Sequence, residues 1–212
     1  MKDIPDLFSL HPRPVSIPLD NGMLNYYPAF LQPAECGQYT CQLKTEINWK
    51  QENLRIFGKS YLTPRLTAWY GDTGAAYSYS GLKLSPEPWT PVLIQLRDMI
   101  VAATGCSFNS VLLNWYRDGN DSMGWHADDE KELGVNPVIA SLSLGQERDF
   151  RFRRKDNHRK VFKVKLANGS LLVMGGSIQH FWQHALLKSA AIKGERINLT
   201  FRMIMAVNVH GR

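Results

Sequence analysis

The chain has 212 residues with a formal net charge of +6, and 44% of its residues are hydrophobic. This length and composition predict one globular domain with a sizeable core, spanning residues 1–212. The first twenty residues include charged side chains and four prolines, and no apolar run approaches the roughly 18 residues of a membrane helix. We therefore expect neither a signal peptide nor a membrane span. The three cysteines lack metal-type spacing, which favours a reducing compartment, the cytoplasm of a bacterium or the nucleus of a eukaryote.

Two helices are predicted before residue 108. The first covers residues 33–45 and directs Cys36, Tyr39 and Leu43 inward. The second covers residues 91–104, has apolar residues at helical spacing, and is followed by Gly105, a residue type that often ends helices.

After residue 108 the chain turns to short apolar strands separated by Gly, Asn or Pro. The predicted strands are residues 109–116, 138–144, 149–154, 161–165, 170–174, 179–186 and 196–207. They predict an α+β, mainly β fold, in which a double-stranded β-helix (jelly roll) of residues 109–207 follows an N-terminal extension with helices in residues 1–108.

His126 and Asp128 are candidate metal ligands, since on a strand two residues so spaced project from the same face. Two imidazoles and one carboxylate form the facial triad of non-haem Fe(II) oxygenases, which leaves coordination positions open for a co-substrate and O₂. The third ligand would be His180 or His184. If their segment is a strand, both histidines share a face, and periodicity does not separate them.

A strand near the C-terminus alternates polar and apolar side chains. Its polar residues are Arg196, Asn198, Thr200 and Arg202. A solvated sheet face is the usual fate of such residues, but this face has two arginines and no acid. Guanidinium groups bind carboxylates bidentately, so the face predicts a site for a small dicarboxylate such as 2-oxoglutarate. Asn114 and Tyr116 would add an amide and a phenol, although ordinary strand polarity explains them equally well on their own.

The positive charge of the chain is concentrated in one segment. Residues 146–165 contain nine Lys or Arg and three acidic residues, which accounts for the excess of the whole chain. Two alternating stretches joined by a polar turn predict a basic hairpin there. A solvated ribbon is the simple alternative, but a phosphate backbone is the natural counter-surface, since neutralised phosphates release counterions.

These motifs together resemble the AlkB family of Fe(II)/2-oxoglutarate-dependent nucleic-acid dealkylases. The ordered set is Asn114-x-Tyr116, His126-x-Asp128-Asp129-Glu130, His184 and Arg196-x-Asn198-x-Thr200-Phe201-Arg202. Upstream, Phe57-Gly58-Lys59, Pro64-Arg65 and Tyr77-Ser78-Tyr79 are similar to the nucleotide-recognition lid of members that prefer double-stranded DNA. The resemblance covers about residues 57–202 and implies three cofactors: Fe(II), 2-oxoglutarate as co-substrate, and O₂. It implies removal of N-alkyl groups from flipped bases of the 1-methyladenine and 3-methylcytosine type, with release of formaldehyde and succinate.

The resemblance also implies a role for each matching residue. Metal ligands would be His126, Asp128 and His184, which with Arg202 form the catalytic set. His184 is favoured over His180 because a small residue and Leu follow it, about a dozen residues before the first Arg. The 2-oxoglutarate site would comprise Asn114, Tyr116, Arg196, Asn198, Thr200 and Arg202.

Substrate contacts are implied for the lid and for the residues after the acidic ligand. They are Phe57, Gly58, Lys59, Arg65, Tyr77, Ser78, Tyr79, Asp129 and Glu130. Phe57 would fill the gap in the base stack, Tyr79 would stack on the flipped base, and Asp129 and Glu130 would recognise its exocyclic amine or charge. Contacts to the DNA backbone would come from Arg148, Arg151, Arg153, Arg154, Lys155, Arg159 and Lys160.

The expected partner is alkylated DNA, with duplex preferred, and the expected state is a monomer. One alternative is the same chemistry on RNA or on a protein side chain, against which Phe57 and the basic hairpin argue. Another is a non-catalytic nucleic-acid-binding module, against which the intact triad and arginines argue.

Overall fold

Two β-sheets and two helices of 14 residues each form the body of the protein. The structure, a computed structural model, describes residues 13–56, 59–75, 77–79 and 82–205, without the side chains of 54–56, 59, 77–79 and 82–84. The strands are β1 (Val15–Ile17), β2 (Met23–Tyr27), β3 (Asn53–Ile56), β4 (Lys59–Leu62), β5 (Leu66–Gly71), β6 (Tyr77–Tyr79), β7 (Leu82–Leu84), β8 (Glu87–Pro88), β9 (Ser110–Tyr116), β10 (Met123–His126), β11 (Ile139–Gly145), β12 (Arg148–Arg154), β13 (Val161–Leu166), β14 (Leu171–Gly175), β15 (Trp182–Leu186) and β16 (Arg196–Arg202). The helices are α1 (Pro33–Glu46), α2 (Pro91–Thr104) and the short α3 (Ile178–Phe181), with a 3₁₀ turn at Lys131–Leu133.

The larger sheet has the strand order β1-β2-β14-β11-β16-β9-β5-β8, and the smaller sheet has the order β10-β15-β12-β13. From β9 to β16 the chain crosses repeatedly between the two sheets, apart from the hairpin β12–β13, which stays in the smaller one. This alternation is the connectivity of a double-stranded β-helix, and it confirms the predicted α+β, mainly β jelly roll. The pairs β3–β4 and β6–β7 form separate two-stranded sheets in the segment of the predicted lid.

The larger sheet buries both of its faces. On one face, apolar residues of β16 such as Leu199 and Phe201 pack with Leu43 of α1 and Leu96 of α2. The opposite face meets the smaller sheet in a second core. Residues on alternate positions of β16 point to these two environments, so its polar face lies between the sheets.

The helix ends follow from local sequence. Pro33 opens α1, where the Glu35 carboxylate accepts a hydrogen bond from the Gln32 backbone N–H at 2.7 Å. In α2 the Thr90 hydroxyl accepts from the backbone N–H of Leu93 at 3.4 Å. Gly105 ends α2 with a φ of 68°, as the sequence predicts.

Two predicted strands differ from the observed ones by more than one residue at an end, and the other five agree within one residue. Residues 179–186 were predicted as one strand, but residues 178–181 form α3, because Gly176 at φ 60° turns the chain after β14. Strand β16 ends at Arg202, whereas the prediction extended it to residue 207, of which residues 206 and 207 lie outside the described residues. The Asn109 side chain binds both backbone groups of Ile204, at 2.7 and 2.8 Å, and draws the chain out of the sheet. Within the described ranges, no helix has the length and apolarity needed to cross a bilayer.

Candidate metal centre

Three side chains converge at one end of the space between the two sheets. Ligand atoms of His126, Asp128 and His184 all lie within 4.8 Å of one another. His126 is the last residue of β10 and is paired with His184 of β15, so that their ring centroids are 4.3 Å apart. The expectation that His126 and Asp128 share a strand face needs correction, because β10 ends at His126 and Asp128 follows in a loop.

The histidine that lies beside His126 and Asp128 is His184, and not His180. His184 is buried and packs against the rings of Phe150 and Phe152. His180 is exposed on α3. The separation arises because α3 and β15 have different periodicities, so the shared face that a continuous strand would give is lost.

Asp128 is held at two points. Its carboxylate accepts a hydrogen bond from Arg202 at 2.9 Å, and its backbone N–H donates to the Gln179 side-chain oxygen at 2.9 Å. Burial by itself would raise the pKa of Asp128, but the charge of Arg202 and the two neighbouring histidines lower it to about 2. Burial lowers the pKa of His184 to about 3. Near neutral pH these two ligands are therefore in the deprotonated forms that bind metal ions.

Arg196 is the most deeply buried arginine of the polar face of β16, with 1% of its surface exposed. Its Nη2 donates to Ser143 Oγ and Asn198 Oδ1, both at 2.9 Å. Its Nε and Nη1 are buried and have no hydrogen-bond partner among the described residues. Burial lowers the pKa of Arg196 to about 10, which still leaves it charged at neutral pH. A buried guanidinium with two free donors fits a carboxylate that binds bidentately, as 2-oxoglutarate would.

The other predicted 2-oxoglutarate residues surround Arg196. The Tyr116 ring lies 5.4 Å from its guanidinium carbon and is 3% exposed. Asn198 is occupied within the protein, because it accepts from Arg196 and donates to Ser141 Oγ at 3.1 Å. Thr200 follows on the same face and is also buried. Arg202 lies at the metal end of this face, since its hydrogen bond goes to Asp128.

Sequence reasoning missed three residues that support this site. Ser141 and Ser143 hold Asn198 and Arg196, and the polar alternation of residues 139–145 could have indicated them. Gln179 binds the backbone of Asp128 and had no signal in the sequence, because its partner is 51 residues away.

The predicted substrate contacts fall into two groups. Phe57 and Gly58 lie outside the described residues, as do the side chains of Lys59, Tyr77, Ser78 and Tyr79, whose backbones form parts of β4 and β6. Arg65 lies beside the polar face, where its Nε donates to Asn114 Oδ1 at 2.7 Å and its Nη1 to the Ser122 carbonyl at 3.2 Å. Asp129 is exposed, and Glu130 directly precedes the 3₁₀ turn.

Arg148 requires a correction, because it was predicted to contact the DNA backbone. It is 3% exposed, and its guanidinium donates to the backbone carbonyls of Asp118, Asp121 and Leu187 at 2.9 to 3.1 Å. Inward-facing Phe150 and Phe152 follow it on alternate positions of β12. Arg148 therefore fastens loops together inside the protein and is not available to a phosphate.

The remaining cations of the β12–β13 hairpin form two groups, those that are ion-paired with an acidic residue of the protein and those that are not. Those paired with an acid are Arg154 with Asp156, Lys155 with Asp129, Lys160 with Asp20, Lys163 with Asp149 and Lys165 with Glu147. Arg151, Arg153 and Arg159 have no acidic partner in the part of the chain that the structure describes. Arg153 instead donates to Gln183 at 2.9 Å, with its guanidinium carbon 4.4 Å from the Trp125 ring centroid.

Known proteins are similar to this chain in sequence and in fold. The model of the 2OG-Fe(II) oxygenase superfamily matches residues 23–202. Over 189 residues the chain is 42% identical to the DNA oxidative demethylase ALKBH2 of Bos taurus, which covers 84% of this chain and 68% of the relative. It is 42% identical over 186 residues to the alpha-ketoglutarate-dependent dioxygenase alkB homolog 3 of Bos taurus, covering 84% and 64%.

Two further matches extend the comparison. The DNA oxidative demethylase ALKBH2 of Arabidopsis thaliana is 36% identical over 221 residues, covering 92% of this chain and 70% of the relative. The solved structure of OsALKBH1 superposes with a TM-score of 0.61 at 18% identity, over 89% of this chain and all of that one, which supports the fold. With the triad and the arginine face, these matches identify the chain as a member of the AlkB family within the 2OG-Fe(II) oxygenase superfamily, an Fe(II)- and 2-oxoglutarate-dependent dioxygenase.

Proposed function

We propose that the protein is an oxidative DNA demethylase that removes N-alkyl groups of the 1-methyladenine and 3-methylcytosine type, releasing formaldehyde and succinate. The observation that carries the proposal is the contact between the metal centre and the basic hairpin. Lys155 of the segment joining β12 and β13 is ion-paired at 2.7 Å with Asp129, the residue that follows the ligand Asp128. A phosphate backbone gripped by the hairpin would therefore lie close to the reacting centre. The similarity to the ALKBH2 relatives, which are DNA oxidative demethylases, gives independent support.

The protein groups have separate tasks in this reaction. Iron with 2-oxoglutarate and O₂ supplies the oxidation of an N-methyl carbon. His126, Asp128 and His184 would hold the metal and leave the remaining positions open. Arg196 would bind a carboxylate of the co-substrate through Nε and Nη1, for which the described residues offer no acceptor. Because a methyl group on the Watson–Crick edge is inaccessible in a duplex, the base must be flipped out or supplied unpaired.

Two finer features belong to the proposal. We infer a preference for duplex DNA, supported by the exposed basic hairpin, which offers a surface for a strand other than the one that carries the flipped base. We also infer that the protein acts as a monomer. Size-exclusion chromatography with light scattering, with and without a bound oligonucleotide duplex, tests the second inference.

The function is tested with protein purified without oxygen and then given Fe(II), 2-oxoglutarate, O₂ and an oligonucleotide with 1-methyladenine or 3-methylcytosine. We expect formaldehyde and succinate in equal amounts, and loss of both in His126→Ala. Matched duplex DNA, single-stranded DNA and RNA substrates separate the duplex preference from the activity itself. Repair by His126→Ala at the wild-type rate would contradict the proposal. Succinate without formaldehyde on every nucleic acid would point to another substrate class.

A further inference from the structure

Asp128, the acidic residue of the candidate metal centre, lies outside the strands of the fold. Strand β10 ends at His126, so Asp128 lies beyond the last ladder position and its backbone is placed by other contacts. One of them is a hydrogen bond from its backbone N–H to the side-chain oxygen of Gln179, at 2.9 Å. A backbone N–H can only donate, which identifies the Gln179 atom that faces it as the amide oxygen.

Gln179 is itself buried and held by a second side-chain contact besides the one to Asp128. It is 1% exposed, and its amide nitrogen lies 3.9 Å from the sulfur of Met174 in β14. It belongs to α3, which runs directly into β15, where His184 stands five positions further along the chain. A displacement of α3 would therefore move the supports of Asp128 and His184 together.

We propose that Gln179 is a positioning residue for the metal centre: by binding the backbone of Asp128, it sets the distance between the carboxylate ligand and the imidazole of His184. Arg202 restrains the other end of the same residue through the carboxylate. With one restraint on the backbone and one on the side chain, Asp128 keeps a single orientation before metal binds. Groups that orient metal ligands in this way typically contribute 10- to 100-fold to metal affinity.

The test is Gln179→Met, which keeps the length and volume of the side chain and removes the acceptor. The matched control is Gln183→Met, the same change four residues later, where the half-buried glutamine side chain accepts a hydrogen bond from Arg153 instead of from Asp128. Mn(II) affinity of the apo-protein is measured by calorimetry, and the Co(II) absorption spectrum reports ligand geometry. Neither measurement needs DNA, so failure here is distinguishable from failure of the proposed function.

We expect the Mn(II) dissociation constant of Gln179→Met to rise about 10- to 100-fold, with an altered Co(II) spectrum, while Gln183→Met stays within about twofold of wild type. Thermal unfolding of each apo-protein establishes that it is folded at the temperature of the titration. If Gln179→Met does not fold, Gln179→Asn withdraws the acceptor by one methylene and is expected to weaken Mn(II) binding in the same direction. Wild-type affinity in the folded Gln179 variant, or an equal loss in Gln183→Met, would overturn the proposal.

Discussion

The polar face around Arg196 and the outer surface of the β12–β13 hairpin are both rich in arginine, but their charges are satisfied in opposite ways. Arg196 is buried, has neutral partners only, and keeps two donors free among the described residues. Five hairpin cations are already paired with acids of the protein, and three of these, Lys160, Lys163 and Lys165, are exposed. Leaving a buried charge without a partner costs considerable folding free energy, whereas an exposed charge is solvated by water and loses little. The partners of a cation therefore say more about a ligand site than the number of cations does.

The largest expected effect comes from removing the buried charge. Arg196→Met should weaken 2-oxoglutarate binding by at least about 100-fold, because two charge-assisted hydrogen bonds of about 1.5 to 3 kcal/mol each are lost. The stability of the apo-protein should fall by no more than about 2 kcal/mol, since the hydrogen bonds to Ser143 and Asn198 are lost but a charge no longer has to be buried. Calorimetric titration of 2-oxoglutarate into the Mn(II)-loaded protein and thermal unfolding of the apo-protein measure both quantities. An unchanged 2-oxoglutarate affinity would contradict the assignment of Arg196 as a ligand-binding residue.

The hairpin offers a test with equal charge change in both variants. Replacing Arg151, Arg153 and Arg159 by Gln removes three cations that have no acidic partner within the described ranges. Replacing Lys160, Lys163 and Lys165 by Gln removes three cations that are ion-paired within the protein. If each unpaired cation contacts one phosphate of a duplex, the first variant should bind DNA roughly 10- to 100-fold more weakly, at about 0.5 to 1 kcal/mol for each exposed charge pair.

The salt dependence of DNA affinity is a second measurement on the same two variants. Each phosphate contact contributes about 0.9 to the slope of log affinity against log salt concentration. The arginine variant should reduce that slope by about 3, and the lysine variant by less than about 1. Fluorescence anisotropy of a labelled duplex at several salt concentrations gives both slopes. Equal slopes in the two variants would mean that net charge alone decides DNA binding by the hairpin.

Arg148 combines features of the two regions, because it belongs to the basic segment of the sequence but is buried like Arg196. Arg148→Met should lower stability by about 3 kcal/mol, since it leaves three backbone carbonyls without their donor. For a domain of this size that corresponds to a melting temperature lower by about 6 to 12 °C. Arg151→Met is the control and should leave the melting temperature unchanged. A DNA-binding defect without a change in stability would restore Arg148 to the predicted phosphate contacts.

The sequence predicts those parts of this molecule that depend on local pattern. Alternation in β16 separates Leu199 from Arg196, and the spacing from Pro91 to Gly105 defines α2, because both follow from the geometry of one element. Partners across the fold are not encoded locally. Lys160 meets Asp20 from 140 residues away, and Asp128 leaves its strand to meet Gln179. Counting charges therefore overstated the free basic surface, and periodicity alone placed Asp128 on a strand that ends before it.

The smallest effect is expected where the two regions touch. Lys155 and Asp129 are both partly exposed, with side-chain exposures of 32% and 46%, so their ion pair should contribute less than about 1 kcal/mol. A double-mutant cycle of Lys155→Gln and Asp129→Asn, read by thermal unfolding and by KM for a methylated duplex, measures the coupling. We expect Lys155→Gln to change KM by less than about threefold, because a solvated Asp129 keeps access to the base without its lysine. A tenfold rise in KM that disappears in the Asp129→Asn background would show instead that Lys155 orients Asp129. Binding of the DNA backbone by the hairpin and recognition of the base by Asp129 would then be coupled.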